Sequence, residues 1–357
     1  MSTTTIGTSG VPSILTKRID AALSSTMSKI RNKLTDNIGT ANAFFHKLMK
    51  DEKYESYDGG SDIQEPLMYA LSDAEPYSGY DELASDPIDG ITNAVYLARQ
   101  LAVPISYSME EALKNKHRIY DLIRAKVEQA RMGIEESFAT HFMQGAGAGA
   151  LATAKTNSST GAKSIDPVSL LIHQSPTDSV DIGNIDQSAE SWWRNVSKDM
   201  DTTTYDGLML QLNNLSNTCA LGTGGAPDMY LMDQTTYELF VHAHYQKYGP
   251  TTGDATFPFE NTRFKGSLVV MDEKVPDFET GTITYTVGSV LAFNSKFFKI
   301  RYIPERNFEM LEDENGKSFA KPLKGDSRLG HIAWMGQATC NNRRKQGMGY
   351  GIARTLS

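Results

Sequence analysis

Residues 340–352 read CNNRRKQGMGYGI, a stretch in which Arg343, Arg344 and Lys345 run into glycines at 347, 349 and 351. Cations beside alternating glycines suit a phosphate cradle: glycine lets backbone N–H groups approach an oxyanion, and the cations neutralise it. A dinucleotide fingerprint also needs a strand before the glycines and a helix after them, with the glycines at the helix N-terminus. Residues 352–357 leave no room for a useful helix. The phosphate reading is set aside.

Other fragments imitate catalytic or metal chemistry and fail on spacing. Gly316-Lys317-Ser318 ends like a P-loop, but Leu311 stands where its first glycine belongs, and Glu312, Asp313 and Glu314 would repel phosphate. Asn315-Gly316 instead suits a tight hairpin turn, whose central residues need positive φ. His242 and His244 lie two apart, so on a helix their rings point in different directions rather than at one metal. The run Asp181-Ile182-Gly183-Asn184-Ile185-Asp186 lacks EF-hand ligand spacing. There is no G-x-S-x-G elbow and no H-E-x-x-H. No catalytic, cofactor-binding or metal-binding residue is assigned, no cofactor is expected, and an enzyme is not expected.

The composition agrees. A chain of 357 residues with 39% apolar and 22% charged residues is long enough for one large or two ordinary domains. The formal net charge of -8 argues against tight nucleic-acid binding, which needs surplus Lys and Arg to displace counterions. Two cysteines, Cys219 and Cys340, provide neither a disulfide framework nor a Cys-rich zinc site, although a pairing between them stays open. The N-terminal MSTTTIGTSGVPS is no secretory signal, and no run approaches a membrane span, so a cytosol-like setting without a membrane partner is expected.

These residues need elements to hold them. Ile14, Ile19, Leu23, Met27, Ile30 and Leu34 trace an amphipathic helix carrying Lys17, Arg18, Lys29, Arg31 and Lys33. It either packs on its own domain or reaches a neighbour as an arm. Residues 54–98 contain acids but no Lys or Arg, punctuated by Gly and Pro. With Leu67, Met68, Tyr69, Leu71, Tyr77 and Tyr80 among them, they read as a projecting, partly apolar hairpin that something else covers.

Ser108 and Glu111 form a capping box. After it, Ile119, Ile123, Val127, Ala130, Ile134, Phe138 and Phe142 line one face of a long helix over 118–144. Gly133 inside it costs about 1 kcal/mol relative to Ala, which suggests a close packing contact. Beyond 166, helices capped by Thr204 and Asp233 alternate with strands at 228–232, 267–271, 282–287, 290–293, 297–303 and 332–340.

Taken in order, several blocks resemble the major capsid proteins of tailed bacteriophages, whose Hong Kong ninety-seven-type shell fold is shared with encapsulins. They are GGSDIQEPLMY, VPISYSMEEALKNKHRIYDLIRAKVEQARMGIEESFATHFMQG, MYLMDQTTYELFVHAHYQKYG, NSKFFKIRYIPERNF and GHIAWMGQATCNNRRKQGMGYGI. The resemblance implies an α+β fold with an N-terminal arm at 1–50 and an extended loop at 51–100. It further implies a peripheral domain made of 101–165, with a spine helix, and 304–357, and an axial domain at 166–303.

The function so implied is a coat protein that closes as pentamers and hexamers into an icosahedral virion capsid around double-stranded DNA, assembled in the host bacterial cytoplasm. Implied partners are the protein itself, a portal, a separate scaffolding protein, a decoration protein and DNA held without sequence specificity. An encapsulin-type compartment is the alternative, and a soluble enzyme the third. On this reading Leu67, Met68, Tyr69, Asp73, Glu75, Tyr77 and Tyr80 contact another subunit. Arg343, Arg344 and Lys345 meet acids of a neighbour's loop or of the same subunit, because a cationic end complements a loop of acids.

Overall fold

The computed structural model describes residues 47–48, 50–60, 62–71, 76–79, 89–114, 119–145, 163–201, 204–248, 263–275, 287–312, 318–321 and 325–356. The amphipathic pattern at 14–34 and the turn expected at 314–317 lie outside them, as does most of the strand expected at 282–287. β1 (Tyr54–Ser56), β2 (Asp62–Met68), β3 (Ile91–Leu97) and β4 (Arg99–Ser108) lead into α1 (Met109–Lys114) and α2 (Ile119–Gln144). Then come α3 (Val168–Leu171), β5 (Asp181–Ile182), β6 (Ile185–Asp186), β7 (Val196–Asp199), α4 (Tyr205–Ala220), β8 (Met229–Met232) and α5 (Gln234–Tyr248). The remaining strands are β9 (Arg263–Phe264), β10 (Ser267–Met271), β11 (Val287–Phe293), β12 (Phe298–Met310), β13 (Ser327–Cys340) and β14 (Gly347–Ala353). The class is α+β.

Two compact units emerge, one of 102–135 and 305–334, the other of 42–101, 136–304 and 335–357. The larger holds a six-stranded sheet in the order β7-β14-β11-β8-β10-β9. Its core gathers Leu208, Leu212 and Leu215 of α4, Phe240 of α5, and Tyr230, Val290 and Ile352 from the strands. Both helices begin where side-chain chemistry dictates. Thr204 Oγ1 accepts from Gly207 N–H at 3.1 Å. Asp233 accepts from Thr236 N–H at 3.3 Å and Thr236 hydroxyl at 2.5 Å, leaving fewer orphan donors at each N-terminus.

The glycines at 347 and 349 lie in strand β14. Alternate strand residues share a face, and here that face is crowded. A Cβ on Gly347 would stand 2.6 Å from Cys219 Sγ and 3.1 Å from Leu215 Cδ1, and one on Gly349 would stand 2.6 Å from Met200 Sδ. The G-x-G spacing therefore lets α4 and the chain at Met200 approach the strand.

In the smaller unit half of the expected capping box forms. Ser108 N–H donates to Glu111 Oε2 at 3.1 Å, while Ser108 Oγ accepts from the N–H of Glu110 at 3.1 Å rather than from that of Glu111. Lys126 of α2 ties back to Glu111 at 2.8 Å and to the Ser106 carbonyl at 3.0 Å. Val127, Ala130 and Ile134 form the buried stripe of α2 here. Phe308 against Trp334 at 6.2 Å and Tyr107 against Phe319 at 5.5 Å fill the remaining space. The close contact expected at Gly133 is absent: a Cβ there would meet nothing within 4 Å.

The two glycines make opposite predictions. Gly133→Ala should raise stability by about 1 kcal/mol, because helix propensity improves with nothing displaced. Gly347→Val should cost about 1–3 kcal/mol by overpacking against Cys219 and Leu215. Urea unfolding of each variant measures both signs.

Candidate functional site

Two places in the larger unit absorb the sequence-predicted contacts: the β2–β3 hairpin and the 3-10 turn at Arg343–Lys345. The hairpin pairs in register from Asp62 opposite Leu97 to Met68 opposite Ile91. Strand alternation sorts its residues. Ile63, Glu65, Leu67, Ala94 and Tyr96 face inward and are buried. Tyr96 hydroxyl donates to the Cys340 carbonyl at 2.8 Å, and Glu65 Oε1 accepts from Arg301 Nε and Thr339 hydroxyl, each at 3.2 Å.

The base of the hairpin is braced by a second one. The β5–β6 turn at Gly183-Asn184 has φ of 62° and 60°, the left-handed geometry of a two-residue hairpin. Gly183 carbonyl accepts from Val95 N–H at 2.9 Å, and a Cβ on Gly183 would press on Ala94 at 3.0 Å. The segment examined as a calcium loop is thus a wedge under β3.

The other side of the hairpin faces solvent with an apolar character. Met68 is 70% exposed, Leu71 76%, Tyr77 67% and Ile91 67%. Tyr69 is half exposed. Its ring stacks on Trp192 at 5.1 Å and its hydroxyl donates to the Asp89 carbonyl at 2.7 Å. Leu67, expected at a contact with another subunit, is instead buried within its own chain at 5% exposure, because it sits on the inner phase of β2. Asp73, Glu75 and Tyr80 lie outside the described residues.

The turn splits its three cations. Arg343 is 0% exposed. It donates from Nε to the Leu171 carbonyl at 2.8 Å and from Nη1 to the Trp193 carbonyl at 2.9 Å. From Nη2 it reaches Gln187 Oε1 at 3.0 Å and Asn195 Oδ1 at 2.9 Å. Its guanidinium also lies over the Trp193 ring, 5.7 Å from the centroid.

Lys345 reaches the Leu221 carbonyl at 2.6 Å and the Gly222 carbonyl at 3.3 Å, so it caps the C-terminus of α4 where the helix dipole is negative. Only Arg344 is exposed. The expected pairing of all three with acids is therefore corrected for Arg343 and Lys345, whose partners are neutral oxygens of their own chain. Sequence reasoning could not separate the three, since what sorts them is the carbonyls that tertiary packing brings to the turn.

Burial governs the titratable groups here. It pushes the Arg343 guanidinium down to about 10, partly offset by Tyr96 and Cys340. It lowers Lys345, with Arg344 adding to the effect, and raises the Tyr96 hydroxyl. Both thiols, Cys219 and Cys340, are pushed up to about 12 by burial, which keeps them protonated and poor nucleophiles at neutral pH.

His242 lies 4.7 Å from the Tyr205 ring at a tilt of 34°, while His244 lies 6.0 Å from Phe240, the two flanking buried Ala243. Among the described residues no three His, Cys, Asp or Glu side chains gather as metal ligands. A pocket of about 260 Å3 is lined by Met209, Asn213, His244 and Phe264, with the exposed cations Arg263 and Lys265 also on its wall. What the geometry offers is surface: an apolar hairpin face and a cationic corner.

No family model matches the chain, and no curated protein matches it. Solved structures do. A chain of the cyanophage A-1(L) capsid is 11% identical, with TM-score 0.56, over 84% of this chain and 90% of that one. The capsid of a native GTA particle is 10% identical, with TM-score 0.54, over 85% and 89%. The holo-SrpI encapsulin complex from Synechococcus elongatus PCC 7942 is 10% identical, with TM-score 0.50, over 86% and 88%. At such identities the likeness is one of fold: the chain has the Hong Kong ninety-seven-like shell fold.

Replacing Arg343 by Met should destabilise the protein by about 3 kcal/mol or more, since buried acceptors lose a charged donor. The neighbouring Arg344→Met should change stability by less than about 0.5 kcal/mol. Denaturant midpoints at constant slope separate the two outcomes.

Proposed function

We propose that this chain is the major capsid protein of a tailed bacteriophage, assembling as pentamers and hexamers into an icosahedral shell around double-stranded DNA. The observation that carries the reading is the shared fold with the cyanophage A-1(L) capsid chain over 84% of this sequence. An apolar hairpin face left in solvent supports it, because exposed patches of this kind mark contact surfaces. Met68, Leu71, Tyr77 and Ile91 are proposed as that contact, with Asp73, Glu75 and Tyr80 belonging to the same loop.

In this reading 1–50 is the arm, 51–100 the extended loop, 101–165 with 304–357 the peripheral domain, and 166–303 the axial domain. Portal, scaffolding and decoration proteins are its expected partners, and assembly takes place in the host cytoplasm. The net charge of -8 suits a wall that contacts DNA weakly, with counterions neutralising the genome. No catalytic step is assigned to it.

The fold is also that of the SrpI encapsulin complex, so a cargo-holding compartment is the second reading. Contents separate the two: packaged DNA for the first, a docked enzyme for the second.

Purified chain, alone and with a co-expressed scaffold, should form uniform icosahedral shells by negative stain and sedimentation. A species that stays monomeric or dimeric at high concentration under both conditions overturns the proposal. Met68→Lys combined with Ile91→Lys should abolish shells while shifting unfolding free energy by less than about 0.5 kcal/mol per site.

A further inference from the structure

Beside the turn that holds Arg344 lies a glycine-rich loop, Leu221-Gly222-Thr223-Gly224-Gly225-Ala226, with φ of +83°, +117° and +84° at its three glycines. Its carbonyls are drawn inward. Those of Leu221 and Gly222 accept from Lys345 Nζ. Those of Gly224, Gly225 and Ala226 share Asn294 Nδ2 at 3.3, 3.4 and 3.2 Å. Gly224 permits this approach, since a Cβ there would stand 2.7 Å from the Phe297 ring.

With the carbonyls taken up inside, the N–H groups of Thr223, Gly224 and Gly225 find no acceptor among the described residues. Thr223 and Gly225 are exposed. Successive free N–H groups on a positive-φ turn make an anion-receiving concavity.

One cation borders it and a second sits on the adjoining turn. Lys296 is exposed, and its ammonium lies 4.0 Å from where a Cβ on Gly225 would stand. Arg344 is exposed on the same turn as Lys345, whose ammonium already touches the loop from within. Neither Lys296 nor Arg344 forms an ion pair among the described residues. Asp228, the acid next to this corner, is taken up by Ser295 N–H at 3.0 Å, Ser295 hydroxyl at 2.5 Å and Lys47 at 3.1 Å. The corner therefore presents unpaired positive charge on a chain of net charge -8.

We propose that Arg344, Lys296 and the loop donors at 223–225 receive carboxylates from the acidic segment 81–89 of a second copy of this chain. That segment carries Asp81, Glu82, Asp86 and Asp89 within a stretch, 54–98, that has no Lys or Arg. Charge complementarity selects it, and the assembly reading above, on which this contact rests, supplies the second copy. The site narrows the cationic side of the contact to one residue of the Arg343–Lys345 turn and adds Lys296, which no motif marked.

The test is fluorescence anisotropy of a labelled peptide of residues 76–90 on the full-length chain, with shell formation followed separately. Binding should weaken with added salt and fall about tenfold or more in R344E/K296E, with R344Q/K296Q intermediate. A peptide carrying Lys at positions 81, 82, 86 and 89 should bind the R344E/K296E chain in preference to wild type. Circular dichroism establishes that each variant is folded. Equal binding to wild type and R344E/K296E, or none to wild type, overturns the site. So does a DNA oligonucleotide of equal charge binding at this corner where the peptide does not. Peptide binding without shells under any condition would sink the assembly reading and leave the site; shells without charge-dependent binding would sink the site alone.

Discussion

The guanidinium of Arg343 is the constraint around which the larger unit is organised. A charge inside a protein costs several kcal/mol in lost hydration, and no carboxylate lies among its bonded partners. It is held by four neutral oxygens in one plane-matched fork, each charge-assisted bond contributing about 1.5–3 kcal/mol. Those oxygens come from separate segments: the end of α3, the turn at Trp193, and the side chains of Gln187 and Asn195. Asn195 in turn accepts from His173 N–H at 2.9 Å and donates to its carbonyl at 2.8 Å. One side chain thus makes the placement of three connections conditional on each other.

Consequences follow along the chain from that point. With Arg343 pinned, Lys345 reaches the end of α4 and Gln346 pairs with Asn294, accepting from its N–H at 2.9 Å and donating to its carbonyl at 3.0 Å. Strand β14 then enters the sheet with Gly347 opposite Ala292 and Gly349 opposite Val290, and the register shifts only beyond them, between Val290 and Gly288. A slip by one residue would turn Met348 toward α4 and Tyr350 toward Met200, where even a Cβ is too close. Arg354, bonded to Asp233 at the start of α5, closes the far end of the strand.

Much of this was legible where local chemistry decides and illegible where a distant segment decides. The caps at Thr204, Asp233 and Ser108, the long helix and the strand at 267–271 rest on side chains within a few residues, and each lies where the periodicity and cap residues placed it. Strands β12 and β13 run well past the apolar cores at 297–303 and 332–340, because pairing with a neighbouring strand satisfies backbone groups that no side-chain pattern announces. Gly183-Asn184 carried a hairpin signal, since both residue types tolerate the positive φ of a two-residue turn. Leu67 carried one too, in the alternation of β2. Nothing in RRK could have told which cation turns inward, since all three share one local composition.

The outer surface follows a different logic from the interior. Inside, Arg343 and the side chains of Gln187, Asn195, Asn294 and Gln346 around it are tied by hydrogen bonds, so this part of the fold tolerates little rearrangement. Outside, Met68, Leu71, Tyr77 and Ile91 stay in water, and Arg344 and Lys296 form no ion pair among the described residues. An exposed ion pair contributes about 0–1 kcal/mol, and a few half-buried apolar side chains a few kcal/mol more, so a single contact made from these features would be weak. In a closed assembly that weakness is useful. In the assembly proposed above each subunit would make several such contacts at once, the later ones at high effective concentration, so the whole could be stable while any one contact still reverses. Reversibility lets a wrongly placed subunit leave before closure. A rigid interior with modest, distributed surface complementarity is the division of labour that a shell built from many identical copies requires.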